Sequence, residues 1–211
     1  MSVKSNRSII PPYVYDIKTY PNIFTMTMYN GTKKFRYEVS EVQNDWSRLR
    51  LTLDALAAKQ VEMVGFNNVG FDYPVMHHLM AHCASPTDAG KVVTMAYRHA
   101  QKIFKAQNND DKFANIIWPN QRLIPQIDLM TIYHFDNNAR RTSLKMLEVN
   151  MRSETVEDLP FKPGQPIELT DANRKSLLDY NDHDVMRTWD FYQLDDTQKM
   201  IAFRREMSAK Y

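Results

Sequence analysis

A chain of 211 residues, 43% hydrophobic and 25% charged, carries enough apolar material for one folded domain and too much for a disordered one. Its formal net charge of +2 does not by itself mark out a polyanion binder, and Cys83, the only cysteine, excludes internal disulfides and four-thiolate zinc sites. Reducing, intracellular surroundings are expected: no signal-peptide core follows Met1 to Arg7, and no apolar run reaches the length of a membrane span.

After Pro11-Pro12, residues Tyr13 to Asp16 read as a short buried strand. Ile23 to Tyr29 alternates apolar residues with threonine, and Asn30-Gly31 is a strong hairpin signal, so Phe35 to Val39 is the return strand. A helix follows with Asn44 or Asp45 as its cap, its inner face marked by Trp46, Leu49, Leu53 and Leu56. Val61 to Phe66 is a fourth strand, and helices are predicted over Tyr73 to Cys83 and Thr87 to about Lys105. Beyond a polar loop at Gln107 to Lys112, a fifth strand is expected around Ile124 to Leu129, then a short helix over Ser143 to Val149 and an extended connection over 152–168. Asp171 is expected to cap a helix toward Tyr180, Asp182 to Leu194 forms the next, and Asp195 or Asp196 starts a last amphipathic helix with Met200, Phe203 and Met207. Three meandering strands followed by strands alternating with helices predict an α/β fold: a mixed five-stranded sheet, an antiparallel three-strand meander plus two parallel strands, with helices on both faces.

The charges fall in clusters. Lys91, Arg98, Lys102 and Lys105 share one face of a predicted helix, Lys33, Lys34 and Arg36 flank the hairpin turn, and Arg140, Arg141 and Lys145 form a third group. Each alone reads as a solvated face; together they are compatible with a polyanion. The five glycines supply neither a phosphate loop nor a dinucleotide-binding turn. His78 and His82 have zinc-ligand spacing on a helix, but no third ligand stands nearby in sequence, so a packed or exposed pair is expected. The 13 methionines are gap fillers of the core.

Three segments carry candidate chemistry: Tyr15-Asp16-Ile17-Lys18-Thr19 on the first strand, Asn67-Asn68-Val69-Gly70-Phe71-Asp72 after the fourth, and Tyr180-Asn181-Asp182-His183-Asp184 on a late helix. Carboxylates from separate elements can hold two divalent ions that clamp the attacking and leaving oxygens of a phosphodiester. Taken singly, Asp16 reads as a strand-end cap, Asp184 as a solvated helix residue and Tyr180 as a core aromatic. In order and together, they resemble the three motifs of the DnaQ-like, or DEDD, 3′→5′ exonuclease superfamily: Asp-x-Glu, Asn-x3-Phe-Asp and Tyr-x3-Asp. The last marks the Tyr subclass, and the surrounding phrases are most similar to the N-terminal proofreading domain of phage DNA polymerases.

The resemblance implies a ribonuclease-H-like fold over residues 1–211, with 195–211 a helix leading to a polymerase region of the same or another chain. It implies Mg²⁺ or Mn²⁺, two ions in an active relative, held by Asp16, Asp72 and Asp184, with Tyr180 orienting the attacking hydroxide. Frayed single-stranded 3′ ends of DNA would be the partner and nucleoside 5′-monophosphates the product, in the cytoplasm of a bacterial host if the gene is a phage's. Asn67 and Phe71 would position the second motif and touch the terminal nucleotide. Further candidate DNA contacts are Tyr73, Tyr20, Arg140, Arg141 and Lys145. His183 lies inside the third motif but not where the His subclass has its histidine, and is taken as flanking.

Lys18 departs from the pattern, which has a metal-binding Glu at this position. At an effective dielectric near 20, unit charges ~4 Å apart interact by roughly 4 kcal/mol, and a dication doubles that. Lys18 is therefore expected to weaken or abolish the first ion site and to pair instead with Asp16 or Asp184. The alternative to an impaired exonuclease is a catalytically dead domain that binds 3′ ends or docks a polymerase. Asp128 could lend a replacement carboxylate, although a structural strand-end role is the simpler expectation.

Overall fold

The computed structural model describes residues 10–109, 111, 113–134, 144 and 159–210. Arg140, Arg141 and Lys145 lie outside the described residues, as does the helix expected over Ser143 to Val149 apart from Leu144.

Five strands form one mixed sheet: β1 (Tyr13–Thr19), β2 (Ile23–Tyr29), β3 (Lys34–Ser40), β4 (Met63–Gly65) and β5 (Gln126–Asp128). Their order is β3-β2-β1-β4-β5, with β2 antiparallel to both β1 and β3, and β4 and β5 parallel to β1. This is the predicted α/β arrangement, consistent with a ribonuclease-H-like fold. The alternation along β1 sorts its side chains into two layers. Tyr15 and Ile17 join a core cluster with Trp46, Leu49, Leu79 and Val92, whereas Val14 joins Val64, Leu129, Val185 and Ile201 on the other face.

The first face is covered by α1 (Trp46–Ala58), α2 (Asp72–His82) and α3 (Ala89–Asn108). The four residues expected on the inner face of α1 are its buried ones. The second face is covered by α4 (Leu129–His134), α5 (Asp171–Gln193) and α6 (Asp195–Lys210). No helix among the described residues is long and apolar enough to cross a membrane.

Two helices differ from expectation. The segments expected as Asp171–Tyr180 and Asp182–Leu194 form the single helix α5, capped by Thr170, whose side chain accepts a hydrogen bond from the Asn173 N–H. Nothing between Tyr180 and Asp182 breaks a helix, and the buried Asn181 and Asp182 find their partners on the sheet instead of bending the backbone. Helix α4 was not foreseen: the fifth strand was expected to run to about Leu129, but the Asp128 carboxylate accepts from the N–H groups of Met130 and Thr131 and starts a helical turn at Leu129.

The β2–β3 turn shows why Gly31 is needed. Its φ is +88°, and a Cβ there would sit 2.8 Å from Cη2 of Trp189 on α5. Tyr29 meets the same indole edge-on at 5.0 Å between ring centroids. The hairpin and α5 thus close on each other at one end of the sheet.

Candidate active site

Asp16 and Lys18 are two apart on β1 and so project from the same face, opposite Thr27 and Thr25 of β2. Helix α5 lies across this face. Asn181 locks it in place: its amide donates to Asp16 Oδ2 at 2.6 Å and to the Asp16 carbonyl at 3.2 Å, while its oxygen accepts from Thr25 Oγ1 at 3.1 Å. One residue on, the buried Asp182 accepts from Thr27 Oγ1 at 3.1 Å, from Lys34 Nζ at 2.7 Å and from the Arg36 guanidinium. Lys34 and Arg36 are exposed, as expected of a solvated cluster, and their pairing with Asp182 also binds α5 to β3. Arg174 repeats the tie by donating to the buried Glu38 at 2.8 Å.

With α5 fixed in this way, Tyr180 and Asp184, one turn apart, reach the same place. The Lys18 ammonium lies 2.8 Å from Asp16 Oδ2 and 2.5 Å from Asp184 Oδ2, and 4.9 Å from the centre of the Tyr180 ring. All three charged side chains are less than a quarter exposed. Burial alone would drive the Lys18 pKa down, but Asp16 and Asp184 outweigh it and hold the ammonium charged well above its ordinary range. Burial pushes the Asp16 carboxyl up to about 6, with Lys18 lowering it and Asp184 raising it.

Asp72 arrives from the opposite side. Strand β4 pairs with β1 only at Tyr13 and Val14, so the Ile17 N–H points past it and donates to Asp72 Oδ1 at 3.0 Å. Burial and the neighbouring Asp16 charge hold the Asp72 carboxyl well above the usual carboxylate range. Asp16, Asp184, Tyr180 and Lys18 thus meet over the middle of the sheet, and Asp72 lies close enough for the Asp16 charge to act on it.

The second motif is a built loop. Asn67 adopts φ +60°, and its carbonyl accepts from the N–H groups of Gly70 and Phe71. Asp128 accepts from the N–H groups of Asn67, Val69, Met130 and Thr131 at 3.0 to 3.4 Å. Its oxygens are committed to the backbone, which rules it out as a replacement ligand and confirms the structural role.

Phe71 stacks on Phe104 of α3 at 4.9 Å and 28°, beside Asp72, and Gln107 donates to the Gly70 carbonyl at 3.2 Å. Phe104 is 44% exposed and escaped the sequence reading, because it sits off the apolar face of α3 and outside every motif. Tyr73 and Tyr20 are corrections to the expected DNA contacts. Tyr73 is 1% exposed, and its oxygen accepts from the Ile124 N–H. Tyr20 is 3% exposed and donates to the Phe161 carbonyl, so neither ring offers a face to a base. Lys91, Arg98, Lys102 and Lys105 are exposed along α3, as expected.

The residues present do not fit the first of the two ions that the resemblance implies. A held ammonium already pairs with both carboxylates that would share it, and Asp16 also accepts from Asn181. Among the described residues, no group of three or more His, Cys, Asp or Glu side chains could hold a metal ion. The chain matches no protein-family model and no curated protein.

Proposed function

We propose that the chain is a 3′→5′ exonuclease-type domain of the DEDD superfamily, Tyr subclass, which receives single-stranded 3′ ends of DNA and whose phosphodiester hydrolysis is impaired by Lys18. The observation that carries this reading is the pairing of one ammonium with both Asp16 and Asp184 beside Tyr180. Remote segments bring Asp16, Asp184 and Tyr180 together around one lysine side chain, which neutralises the two carboxylates from within. In an active relative, bound Mg²⁺ or Mn²⁺ polarises the phosphodiester and supplies hydroxide. Here the chain's own residues do other work: Lys18 pairs with both Asp16 and Asp184 and holds them close, and Phe71 with Phe104 offers a stacking surface next to Asp72. Exposed cations on α3 give the strand's phosphates a sequence-independent partner.

The test compares nucleotide release from a single-stranded 3′ end by this chain and by Lys18→Glu, each with Mg²⁺ and with Mn²⁺. The substitution is expected to raise the rate at least about tenfold, a modest share of the roughly 4 kcal/mol that one like-charge contact can cost. Equal, brisk hydrolysis by both proteins would refute the impairment. The second reading, a dead domain that grips 3′ ends or docks a polymerase, is favoured by the same ion pairs. It would be adopted if Lys18→Glu bound 3′ ends tightly and still released nothing.

A further inference from the structure

Four histidines gather where α2 meets α3: His77, His78 and His82 from the first helix and His99 from the second. The rings of His78 and His99 stack with 4.2 Å between centroids and 8° between planes, and His82 leans on His78 at 4.5 Å. In-plane lone pairs of parallel rings run side by side instead of converging on one ion, and no metal-holding group occurs among the described residues. Stacking of this kind suits neutral imidazoles. A proton on one ring charges its neighbour's surroundings, and a second proton adds direct repulsion at van der Waals range.

Among the described residues, the charges that bear on the stack are further cations. Besides His78 and His99 themselves, the groups whose charge bears on it are His77 and His82 from α2 and Lys102 from α3. Burial first, then His78, Lys102, His82 and His77, bring His99 down to about 4. Burial, His82, Lys102 and His77 likewise lower His78, and burial with His82 lowers His77 against a pull upward from the Gln121 carbonyl. The folded form therefore resists protons that an opened α2–α3 interface would accept.

We propose that the stacked rings of His78 and His99 form an acid-sensitive latch, which holds α2 against α3 while the two rings are neutral and releases it when they are protonated. The sign follows from the lowered affinity for protons: the contact is fully stabilising above the free imidazole range and is lost as pH falls from there through about 4, the value of His99 in the fold. Release acts on the acidic pocket through one route, because α2 begins at Asp72. The latch does not depend on the exonuclease reading and would operate in a domain of any function.

Hydrogen exchange of the full chain, in EDTA at about pH 7.5 and about pH 5 and corrected for intrinsic rates, tests the idea. Amides of Met76 to His82 are expected to exchange at least about tenfold faster at the lower pH, relative to amides of Val185 to Thr188 in α5. The double variant His78→Phe/His99→Phe keeps two stacked rings and should lose this response. Equal behaviour of α2 and α5 in the parent, or an unchanged response in the variant, overturns the latch. If the variant does not fold, ring titration in the parent decides: His99 must titrate below free imidazole, and an ordinary value overturns the proposal. Equimolar Zn²⁺ is the remaining arm. Strong zinc protection of α2 would make the cluster a metal site and overturn the latch, whereas no protection supports it.

Discussion

Lys18→Met keeps the length of the side chain but leaves Asp16, Asp184 and Asp72 with no cation between them. Removing one partner of a buried ion pair costs about 3 kcal/mol, chiefly because the surviving charges remain unsolvated. The variant should therefore melt well below the parent. Millimolar Mn²⁺ should restore part of the loss, and so should a fall in pH from about 7 to about 5, since protonating a crowded carboxylate relieves the repulsion. Thermal melts with and without Mn²⁺ check this; equal stabilisation of parent and variant by the ion would defeat it. At this scale the sequence was partly legible. Asp16, Lys18, Asp72, Tyr180 and Asp184 stand out because their spacing matches a pattern, and the pairing of Lys18 with its carboxylates follows from charge alone. The anchors Asn181, Thr25, Asp182 and Thr27 were hidden, because each hydrogen bond joins residues about 155 positions apart and threonine on a strand looks like ordinary strand composition. Tyr20 and Tyr73 were misjudged for a related reason: a tyrosine beside a motif gives no sign of whether its ring faces solvent or core.

Among the elements, the hairpin turn supplies the sharpest test. Gly31→Ala places a side chain at positive φ and against the Trp189 ring. The two effects together should cost roughly 2–3 kcal/mol. Combining it with Trp189→Phe, which shortens the ring, should recover part of that, so the double mutant would be less destabilised than the two single losses added together. Chemical denaturation of the four proteins measures the coupling; strict additivity would show that the turn does not bear on α5. The strands and α1 were readable because alternation and helical spacing are local signals. The unity of α5 was not: its middle is polar, so it resembles a junction, and only the threonines of a distant strand turn Asn181 and Asp182 into interior residues. Helix α4 was missed because a carboxylate that satisfies backbone N–H groups leaves no hydrophobic period to read.

Across the whole molecule, the exposed cations of α3 and the acidic pocket belong to opposite faces of the sheet, and Phe71 with Phe104 lies where α3 meets the second-motif loop. If a strand of DNA passes over that junction, Arg98→Glu with Lys105→Glu should weaken binding to all sequences alike. Each lost phosphate contact lowers the slope of log affinity against log salt by about 0.7. Titrations of labelled single strands at several salt concentrations measure the slope, and an unchanged value would place the DNA elsewhere. The layers and the mix of a meander with two parallel strands were legible at this scale, because a meander followed by alternating strands and helices leaves few ways to build one sheet. Which of the exposed cations also tie elements together was not, since Lys34 and Arg36, paired with Asp182, look no different in sequence from Lys102 and Lys105.

The uninterrupted α5 makes the pocket a vice with one fixed jaw. Tyr180 and Asp184 ride on a single rod, so neither can shift without carrying the other and breaking the clamps to β2 and β3. Asp72 stands at the head of a shorter rod and is tied to β1 by the Ile17 N–H. A rearrangement that widens the gap must therefore strain either that tie or the clamps of α5.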